Sequence, residues 1–274
     1  MQNAEIKNCE LKSPDGFCLG VTLLSGQCFR WNEDGDGYTG IAFGRRVNLI
    51  QKSDKIIIIG DDDTAIWREY LDLDTDYDSI RREVISLDPR LEESTKVCGG
   101  VRILRQDPWE ALCSFVISQN NNIGRIRLII NRLCSIHNSQ FTIHNFPDPE
   151  LVASLSEEAL NTIGCGYRSP YILAVAKAAM SGQIDFDGLR TMSVDEARAK
   201  LTSVHGIGPK VADCALLYGL HRLECFPRDV WIRRALKDGL VSEEVARSRY
   251  AGVAQQYVFE YIRSMHNAQF TMHN

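Results

Sequence analysis

Short stretches rich in β-branched and aromatic residues dominate the first sixty positions. Segments at 17–24, 27–31, 38–43, 46–51 and 55–59 carry Val, Ile, Thr, Phe, Tyr or Trp at high density, which favours strands. Polar and glycine clusters at 32–37 and 53–54 separate some of these segments and predict turns. Because the connections are short, we expect neighbouring strands to pair antiparallel as a meander.

From residue 64 onward the apolar positions recur at spacings of three and four, which is typical of helices. We predict helices at 64–71, 77–87, 108–119, 123–134, 170–180, 193–201, 230–237 and 243–265. A glycine pair at 99–100 and an Asp-Pro pair at 107–108 mark a candidate domain boundary. The pattern predicts an α+β fold, with a small antiparallel sheet and flanking helices at 1–100 and an all-helical domain at 101–274.

Composition narrows the class of protein. Hydrophobic residues make up 44% of the 274 residues, as expected of a globular chain, and no apolar run approaches the roughly 20 residues that span a bilayer. The N-terminal sequence lacks an apolar signal core, so we expect an intracellular monomer, cytoplasmic or nuclear, without a membrane partner. The nine cysteines form no C-x-x-C pair, so neither a zinc site nor a cysteine-ligated cluster is predicted, and free thiols are expected.

The charge is distributed unevenly along the chain. The net charge is −5 overall, with −7 in residues 1–100 and +2 in residues 101–274. The overall sign argues against a nucleic-acid partner. However, between residues 111 and 147 the chain carries Arg125, Arg127 and Arg132 and no acid. The second part is therefore able to present a local basic face.

The segment LTSVHGIGPKVADC at 201–214 has the pattern of a helix-hairpin-helix motif. Gly206 and Gly208 permit positive φ and close approach of another backbone, and Pro209 suits the first turn of the second helix. Free backbone N–H groups at such a turn bind phosphate, helped by the positive end of the helix dipole. A site of this kind holds a nucleic-acid backbone without reading its sequence.

Lys210 lies just inside the second hairpin helix, and Cys214 shares its helix face at i+4. The dipole there disfavours the ammonium form, and a neutral lysine is an amine nucleophile. The alternative is a lysine that only contacts a phosphate, because short Gly-x-Gly turns are common.

Two further loops carry candidate DNA contacts. The run of amides at 118–122 precedes the arginine-bearing helix, so Asn120 and Arg125 are candidate readers of base edges, or the run is an ordinary helix cap. Tyr167 and Arg168 follow a glycine-rich loop at 163–166 and are expected to be exposed at its tip, where a tyrosine is able to wedge into a duplex. An ordinary surface Tyr-Arg pair is the alternative.

Three other positions have both a structural and a functional interpretation. Asp229 stands where a helix begins, so capping is its simplest role. Gln255 and Phe259 share a helix face, with Phe259 in the core and Gln255 on the surface as the alternative to a binding site. Gly26, in Ser-Gly-Gln at 25–27, marks an unusual or an ordinary turn.

Taken together, six ordered segments resemble the 8-oxoguanine DNA glycosylase/AP lyase family of the helix-hairpin-helix (HhH-GPD) glycosylases. They are SGQCFRW (25–31), SQNNNIGR (118–125), GCGYR (164–168), VHGIGPKVADC (204–214), PRD (227–229) and YAGVAQQYVF (250–259). The resemblance covers nearly the whole chain and implies a sheet domain like that of TATA-binding protein, followed by a helical glycosylase domain. It also implies excision of 8-oxoguanine from damaged double-stranded DNA, preferably opposite cytosine, and strand cleavage by β-elimination.

The resemblance assigns roles to residues. Lys210 would attack C1′ and form a Schiff base, and Asp229 would stabilise the cationic sugar. The flipped base would lie between Cys214 and Phe259, with Gln255 on its Watson–Crick edge and the Gly26 carbonyl accepting N7–H. The remaining residues would contact the duplex: Asn120, Arg125 and Arg168 the orphaned cytosine, Tyr167 the base stack, and the hairpin glycines, Gly206 and Gly208, the backbone.

No cofactor is implied, apart from a candidate monovalent cation held by backbone carbonyls of the hairpin and not by side chains. One departure is Trp231, where the family usually has histidine; it puts in doubt a contact near the phosphate of the flipped nucleotide. Two alternatives stay open at this point. One is a glycosylase of the same fold for another lesion, such as an alkylated purine. The other is a non-catalytic hairpin protein that only grips DNA.

Overall fold

The computed structural model describes residues 7–136 and 145–271, with side chains of the last helix described up to His266. The strands pair in a five-stranded antiparallel sheet of order β1-β5-β4-β3-β2. Their ranges are Asn8–Lys12 (β1), Trp31–Asp34 (β2), Gly37–Ala42 (β3), Arg45–Lys52 (β4) and Lys55–Ile59 (β5). Strands β2 to β5 follow one another as the predicted meander, and β1 adds to the free edge of β5.

The sheet buries one face because its apolar residues alternate. Leu49 and Ile58 pair across β4 and β5, and both are fully buried. Trp31 packs edge-on to Trp67 at 6.2 Å between ring centroids, and its indole N–H donates to the Tyr70 hydroxyl at 2.7 Å. These residues belong to the smaller of two hydrophobic clusters. This cluster anchors the loop that contains residue 26 and leads into β2.

The helices form the second and larger cluster. Their ranges are Leu19–Leu24 (α1), Thr64–Tyr70 (α2), Tyr77–Leu87 (α3), Leu91–Cys98 (α4), Pro108–Ile117 (α5), Ile123–Ser135 (α6), Pro149–Ser154 (α7), Glu157–Thr162 (α8), Ser169–Met180 (α9), Phe186–Thr191 (α10), Val194–Thr202 (α11), Pro209–Cys214 (α12), Val230–Lys237 (α13) and Ala251–Thr271 (α14). A π-helical turn, Ala215–Gly219, extends α12, and 3₁₀ turns occur at Gly166–Arg168 and Val245–Arg247. The α+β architecture is as predicted, whereas the division of the chain at residue 100 stays a prediction.

Four predicted elements differ from the structure, and one of them is the turn predicted at 32–37, where strand β2 occupies Trp31–Asp34. The expected strand at 17–24 is helix α1, because Leu19, Thr22 and Leu23 fall at i, i+3 and i+4 and are all buried. The expected strand at 27–31 is a loop that joins β2 only at its last residue. The last long helix begins at Ala251 instead of residue 243, because Ser248 adopts an extended backbone with ψ 164° that interrupts the helix.

Gln27 fixes the loop between α1 and β2 against the segment that precedes α5. Its buried side-chain amide donates to the Thr22 carbonyl at 2.9 Å and to the Arg102 carbonyl at 2.7 Å, and its oxygen accepts from the Leu104 N–H at 2.8 Å. On the other side, the Gln256 side chain of α14 donates to the Ser25 carbonyl at 3.1 Å. Gly26 is therefore held between the sheet region and the last helix.

Neither a membrane-spanning helix nor a metal site occurs among the described residues. No helix among them is long and apolar enough to cross a bilayer. No group of three or more His, Cys, Asp or Glu side chains within residues 7–136 and 145–271 is arranged to hold a metal ion.

Candidate active site

A cleft of about 940 Å³ lies between the loop after α5, the start of α12, the start of α13 and one face of α14. Seven of the predicted site residues line it: Gly26, Asn120, Tyr167, Gly208, Lys210, Asp229 and Phe259. They come from six separate stretches of the chain, so the fold brings together residues as far apart as 26 and 259. Cys214, Gln255, Arg125, Arg168 and Gly206 are not on its wall.

Lys210 occupies the first turn of α12, directly after Pro209. Its Nζ lies 3.4 Å from the Ser118 hydroxyl and 5.0 Å from the centroid of the Phe115 ring, so the amine projects into the cleft with an apolar wall beside it. The side chain is half-buried. Because the amine lies in the cleft beside a hydroxyl and an aromatic ring, its position suits a nucleophile.

Cys214 lies behind Lys210, one turn further along the same helix, and is 2% exposed. Burial raises the pKa of its thiol to about 11, although the charge of Lys210 and a hydrogen bond with it act in the opposite direction. The thiol is therefore neutral near pH 7, and a polarisable neutral sulfur is available as a packing surface.

Asp229 caps α13, as its simplest interpretation predicted. Its Oδ1 accepts from the Ile232 N–H at 2.8 Å, while the residue stays half-buried at the cleft wall. The neighbouring Arg228 makes a two-point ion pair with Glu243 at 2.6 and 2.7 Å, which leaves its chain segment well fixed. The cap and the ion pair together orient the carboxylate without excluding it from the cleft.

Gly26 and Phe259 meet at the inner end of the cleft. Gly26 has φ +79°, and a Cβ built there would lie 3.6 Å from the Phe259 ring and from Ile123. The left-handed conformation is one that glycine adopts without strain, and ordinary turns use it as well, so the conformation alone does not separate the two interpretations of Gly26. Phe259 is half-buried and lines the cleft.

Gln255 is 4% exposed, so the alternative that placed it on the surface is wrong. Its Oε1 accepts from the Tyr218 hydroxyl at 3.3 Å, and the same hydroxyl donates to Gln256 Oε1 at 2.6 Å. Gln255 and Cys214 thus lie behind the cleft wall instead of on it, because α14 turns this face toward Tyr218 in the core.

The amide run at 118–122 divides its tasks. Asn122 caps α6 by accepting from the Arg125 N–H at 2.9 Å, as the capping interpretation predicted. Asn120 is exposed, with φ +46°, a conformation that Asn tolerates better than most residues. Arg125 is exposed and donates to the Gly164 carbonyl at 3.4 Å. Asn120 faces the cleft, whereas Arg125 lies outside its wall.

Tyr167 and Arg168 contact each other, with the guanidinium carbon 4.4 Å from the centroid of the Tyr167 ring, but they differ in exposure. Tyr167 is 53% exposed, as expected, but Arg168 is 3% exposed, so its predicted exposure is wrong. The guanidinium donates to the carbonyls of Gln119 at 2.5 and 2.8 Å, Asn120 at 2.8 Å and Cys165 at 3.2 Å. Arg168 is buried because this loop exposes backbone carbonyls that need donors.

The hairpin glycines also differ from each other. Gly206 has φ +92°, and an added Cβ would lie 2.3 Å from the Tyr171 Cβ, so both predicted reasons for glycine hold there. Gly208 has φ −87° and ψ 171°, and no atom lies within 4 Å of an added Cβ. Gly208 does not use the positive φ that glycine permits; its backbone is extended and borders open space.

The wall of the cleft also includes residues that sequence patterns did not single out. They include Ser118, Phe115, Arg233, Arg263 and His266. The ring of His266 lies edge-to-face at 5.2 Å with that of Trp231, the residue noted above as a departure from the family, which also lines the cleft. Arg233 was detectable in principle, because it lies four residues after Asp229 on the same helix face. Ser118 and Phe115 were not, since their contact with Lys210 joins helices that are distant in sequence.

Two protein-family models together match most of this chain. Residues 10–112 match the family model for the N-terminal domain of 8-oxoguanine DNA glycosylase, and residues 113–250 match that for HhH-GPD superfamily base excision DNA repair proteins. The N-glycosylase/DNA lyase of Saccharomyces cerevisiae is 32% identical over 255 residues, which covers 81% of this chain and 68% of the yeast protein. The N-glycosylase/DNA lyase OGG1 of Arabidopsis thaliana is 30% identical over 271 residues, covering 89% and 73% of the two chains.

Solved structures agree along nearly the whole chain. MBOgg1 in complex with a low-affinity DNA ligand superposes with a TM-score of 0.88 at 37% identity, covering 95% of this chain and 98% of its own. The Clostridium acetobutylicum 8-oxoguanine glycosylase/lyase, in complex with double-stranded DNA containing cytosine opposite 8-oxoguanine, gives 0.86 at 29% identity with the same coverage. The chain described here belongs to the 8-oxoguanine DNA glycosylase family within the HhH-GPD superfamily of base excision DNA repair proteins.

Proposed function

We propose that this chain removes 8-oxoguanine from duplex DNA and then cleaves the strand, as a bifunctional N-glycosylase/AP lyase. The observation that carries this function is the joint position of Lys210 and Asp229 in one cleft, with the amine beside Phe115 and the carboxylate fixed by its helix cap. Arg228, Arg233 and Arg263 line the same cleft, which suits an anionic substrate.

In the proposed reaction the Lys210 nitrogen attacks C1′ of the damaged nucleotide, and the bond from C1′ to the base breaks. The Asp229 carboxylate stabilises the positive charge that develops on the sugar, an electrostatic effect that is strong in a preorganised site. Opening of the sugar ring then breaks the bond from C1′ to O4′ and gives a Schiff base between C1′ and Lys210. The Schiff base makes the proton at C2′ acidic, so loss of that proton and β-elimination break the bond from C3′ to the 3′ phosphate. A glycosylase that used only the aspartate and water would leave the strand intact.

The damaged base would occupy the inner end of the cleft. We propose that it lies between Cys214 and Phe259, with Gln255 on its Watson–Crick edge and the Gly26 carbonyl accepting the N7–H that only the oxidised base carries. Because the Phe259 ring occupies the space beside Gly26, the ring has to move when the base enters. Extruding a base costs a few kcal/mol, which contacts of this kind offset.

The orphaned cytosine would be read by Asn120, Arg125 and Arg168, with Tyr167 wedged into the base stack. Exposure of Asn120, Arg125 and Tyr167 supports these contacts. Arg168 is able to reach the cytosine only by exchanging its carbonyl partners at 119, 120 and 165 for the base. The proposed preference for cytosine therefore requires Arg168 to rearrange when DNA binds.

The hairpin and the oligomeric state are two further parts of the proposal. Backbone carbonyls of the hairpin, together with the N–H groups of Gly206 and Gly208, would hold a monovalent cation and a DNA phosphate. The Gly206 carbonyl already accepts from Gln119 at 3.0 Å, so the cation would use other carbonyls of the turn. A monomer in the cytoplasm or nucleus is the expected form.

The test uses Lys210→Gln with Lys177→Gln as a matched control, because Lys177 is exposed on α9 outside the cleft. Each protein is incubated with duplexes that contain 8-oxoguanine opposite each of the four bases, and with one that contains an alkylated purine. We expect the parent and Lys177→Gln to release 8-oxoguanine, best opposite cytosine, and to be trapped on DNA by borohydride. Lys210→Gln should bind the duplex and do neither.

Three results would change the assignment. Intact base release and trapping by Lys210→Gln would exclude the lysine as nucleophile. Release of the alkylated purine in place of 8-oxoguanine would favour another lesion class. Salt-dependent binding without release of any base by the parent protein would indicate a hairpin protein that only grips the backbone.

A further inference from the structure

Gln119 links the hairpin to the loop that carries Tyr167. Its side-chain amide donates to the Gly206 carbonyl at 3.0 Å. Its own backbone carbonyl accepts from the Tyr167 hydroxyl at 3.1 Å and from both Nε and Nη2 of Arg168. One residue therefore contacts the tip of the hairpin on one side and the Tyr167 loop on the other.

Tyr171 makes a second link between the same two places. Its ring lies edge-to-face with Tyr167 at 6.1 Å between centroids and with His205 at 4.9 Å. Its Cβ packs so closely on Gly206 that a methyl group there would overlap it. Tyr171 is half-buried, and it shares with Gln119 the lining of a cavity of about 450 Å³ beside the hairpin. Two side chains from different elements thus span the same gap.

The two ends of this span have different proposed tasks. The hairpin grips a phosphate, and Tyr167 enters the base stack. A wedge works only if its depth relative to the gripped backbone is fixed, because a misplacement of about 1 Å is able to cost a hundredfold in rate. Free movement between the two would let the duplex bind without being opened.

We propose that Gln119 and Tyr171 form a brace that sets the distance between the hairpin and the Tyr167 wedge, and so couples backbone binding to base extrusion. Both are positioning residues in this scheme, since they act through Gly206 and Tyr167. The inference rests on the proposed function, because it requires that the enzyme extrude a base.

The brace predicts a separation of binding from extrusion. Extrusion is followed by the fluorescence of 2-aminopurine placed next to 8-oxoguanine, in the Lys210→Gln background so that no chemistry follows. Affinity for an undamaged duplex is measured by anisotropy. We expect Gln119→Ala and Tyr171→Leu each to slow extrusion by several-fold, while the dissociation constant for undamaged duplex stays within about twofold, since each link is worth on the order of one hydrogen bond or ring contact.

Two further variants make the test specific. Tyr171→Phe keeps the ring contacts, so it should extrude the base at the same rate as the Lys210→Gln background protein. Because the two links are parallel, the double variant should lose more than the product of the single losses, as coupled positions do. Met180→Ala is the control, because Met180 is exposed at the far end of α9, the helix that carries Tyr171. It should leave extrusion unchanged.

These experiments separate a failure of the brace from a failure of the proposed glycosylase function. If the parent enzyme releases 8-oxoguanine but the brace variants extrude it at the rate of the Lys210→Gln background protein, the brace is wrong and the function stands. An equal loss of duplex affinity and of extrusion would indicate a collapsed hairpin and also overturn the brace. A parent enzyme that neither releases the base nor is trapped would refute the function itself.

Discussion

Replacing the two hairpin glycines one at a time by alanine should produce opposite phenotypes. At Gly206 the alanine would carry φ +92° and place its methyl 2.3 Å from the Tyr171 Cβ and 2.9 Å from its Cα. Backbone strain of this kind costs about 1–3 kcal/mol, and overpacking a similar amount. Reduced freedom of the unfolded chain returns up to about 1 kcal/mol, so the net loss is about 1–6 kcal/mol, and we expect a value near the middle of this range, roughly 2–4 kcal/mol.

At Gly208 the same change should leave the fold intact. The residue is extended, at φ −87° and ψ 171°, and an added methyl group has no atom within 4 Å. The methyl group would instead project into the cleft, where the proposed phosphate contact needs close approach of the backbone. We therefore expect a normal melting temperature and an affinity for duplex DNA reduced by about tenfold, or about 1.4 kcal/mol.

Differential scanning calorimetry and fluorescence anisotropy measure the two effects. For a chain of this size about 2 °C is lost per kcal/mol, so Gly206→Ala should melt roughly 4–8 °C below the parent protein, and Gly208→Ala within about 1 °C of it. If Gly206→Ala melts with the parent, or if Gly208→Ala binds DNA as the parent does, the structural reasoning about the hairpin is refuted.

Three other changes have defined outcomes. Asp229→Asn preserves the helix cap but removes the charge, so it should melt like the parent and release base about a hundredfold more slowly in a single-turnover assay. Burial raises the pKa of the Asp72 carboxyl, but the hydrogen bond and charge of His221 lower it by more and hold the pKa at about 2, below the usual 3.8. The folded state is therefore stabilised by ionised Asp72 above pH 4, and this stabilisation is lost toward pH 2. Asp72→Asn should thus lower stability at pH 7 by about 2 kcal/mol and flatten the fall in melting temperature between pH 4 and pH 2. Trp231 is 40% exposed at the cleft, whereas every other tryptophan is at most 8% exposed. If DNA binding changes the tryptophan emission of the parent protein, Trp231→Phe should abolish that change. An emission change that persists in Trp231→Phe would mean that DNA does not reach this wall.

Local sequence patterns determined much of the helical part of this protein. The ranges predicted for α3 and α13 are the observed ones, and that of α6 agrees within a residue. Apolar spacing, Asn or Asp caps and helix-breaking neighbours predict these helices because all of them act within a few positions. The nature of the site was also readable locally. A lysine after Gly-Pro, an aspartate at a helix start and a run of amides identify candidate groups by their chemistry.

Tertiary structure decided which of these groups face the cleft. Arg168 and Gln255 are buried because carbonyls at 119 and 120 and the Tyr218 hydroxyl supply their partners, and these partners lie some 37 to 49 positions away in the chain. Gln119 joins the hairpin to the Tyr167 loop for the same reason. Helix α1 was misread as a strand since its β-branched residues favour strands locally, while burial of one helical face outweighs that preference. Burial and partnership are properties of contacts between distant segments, so no periodicity within a single segment encodes them.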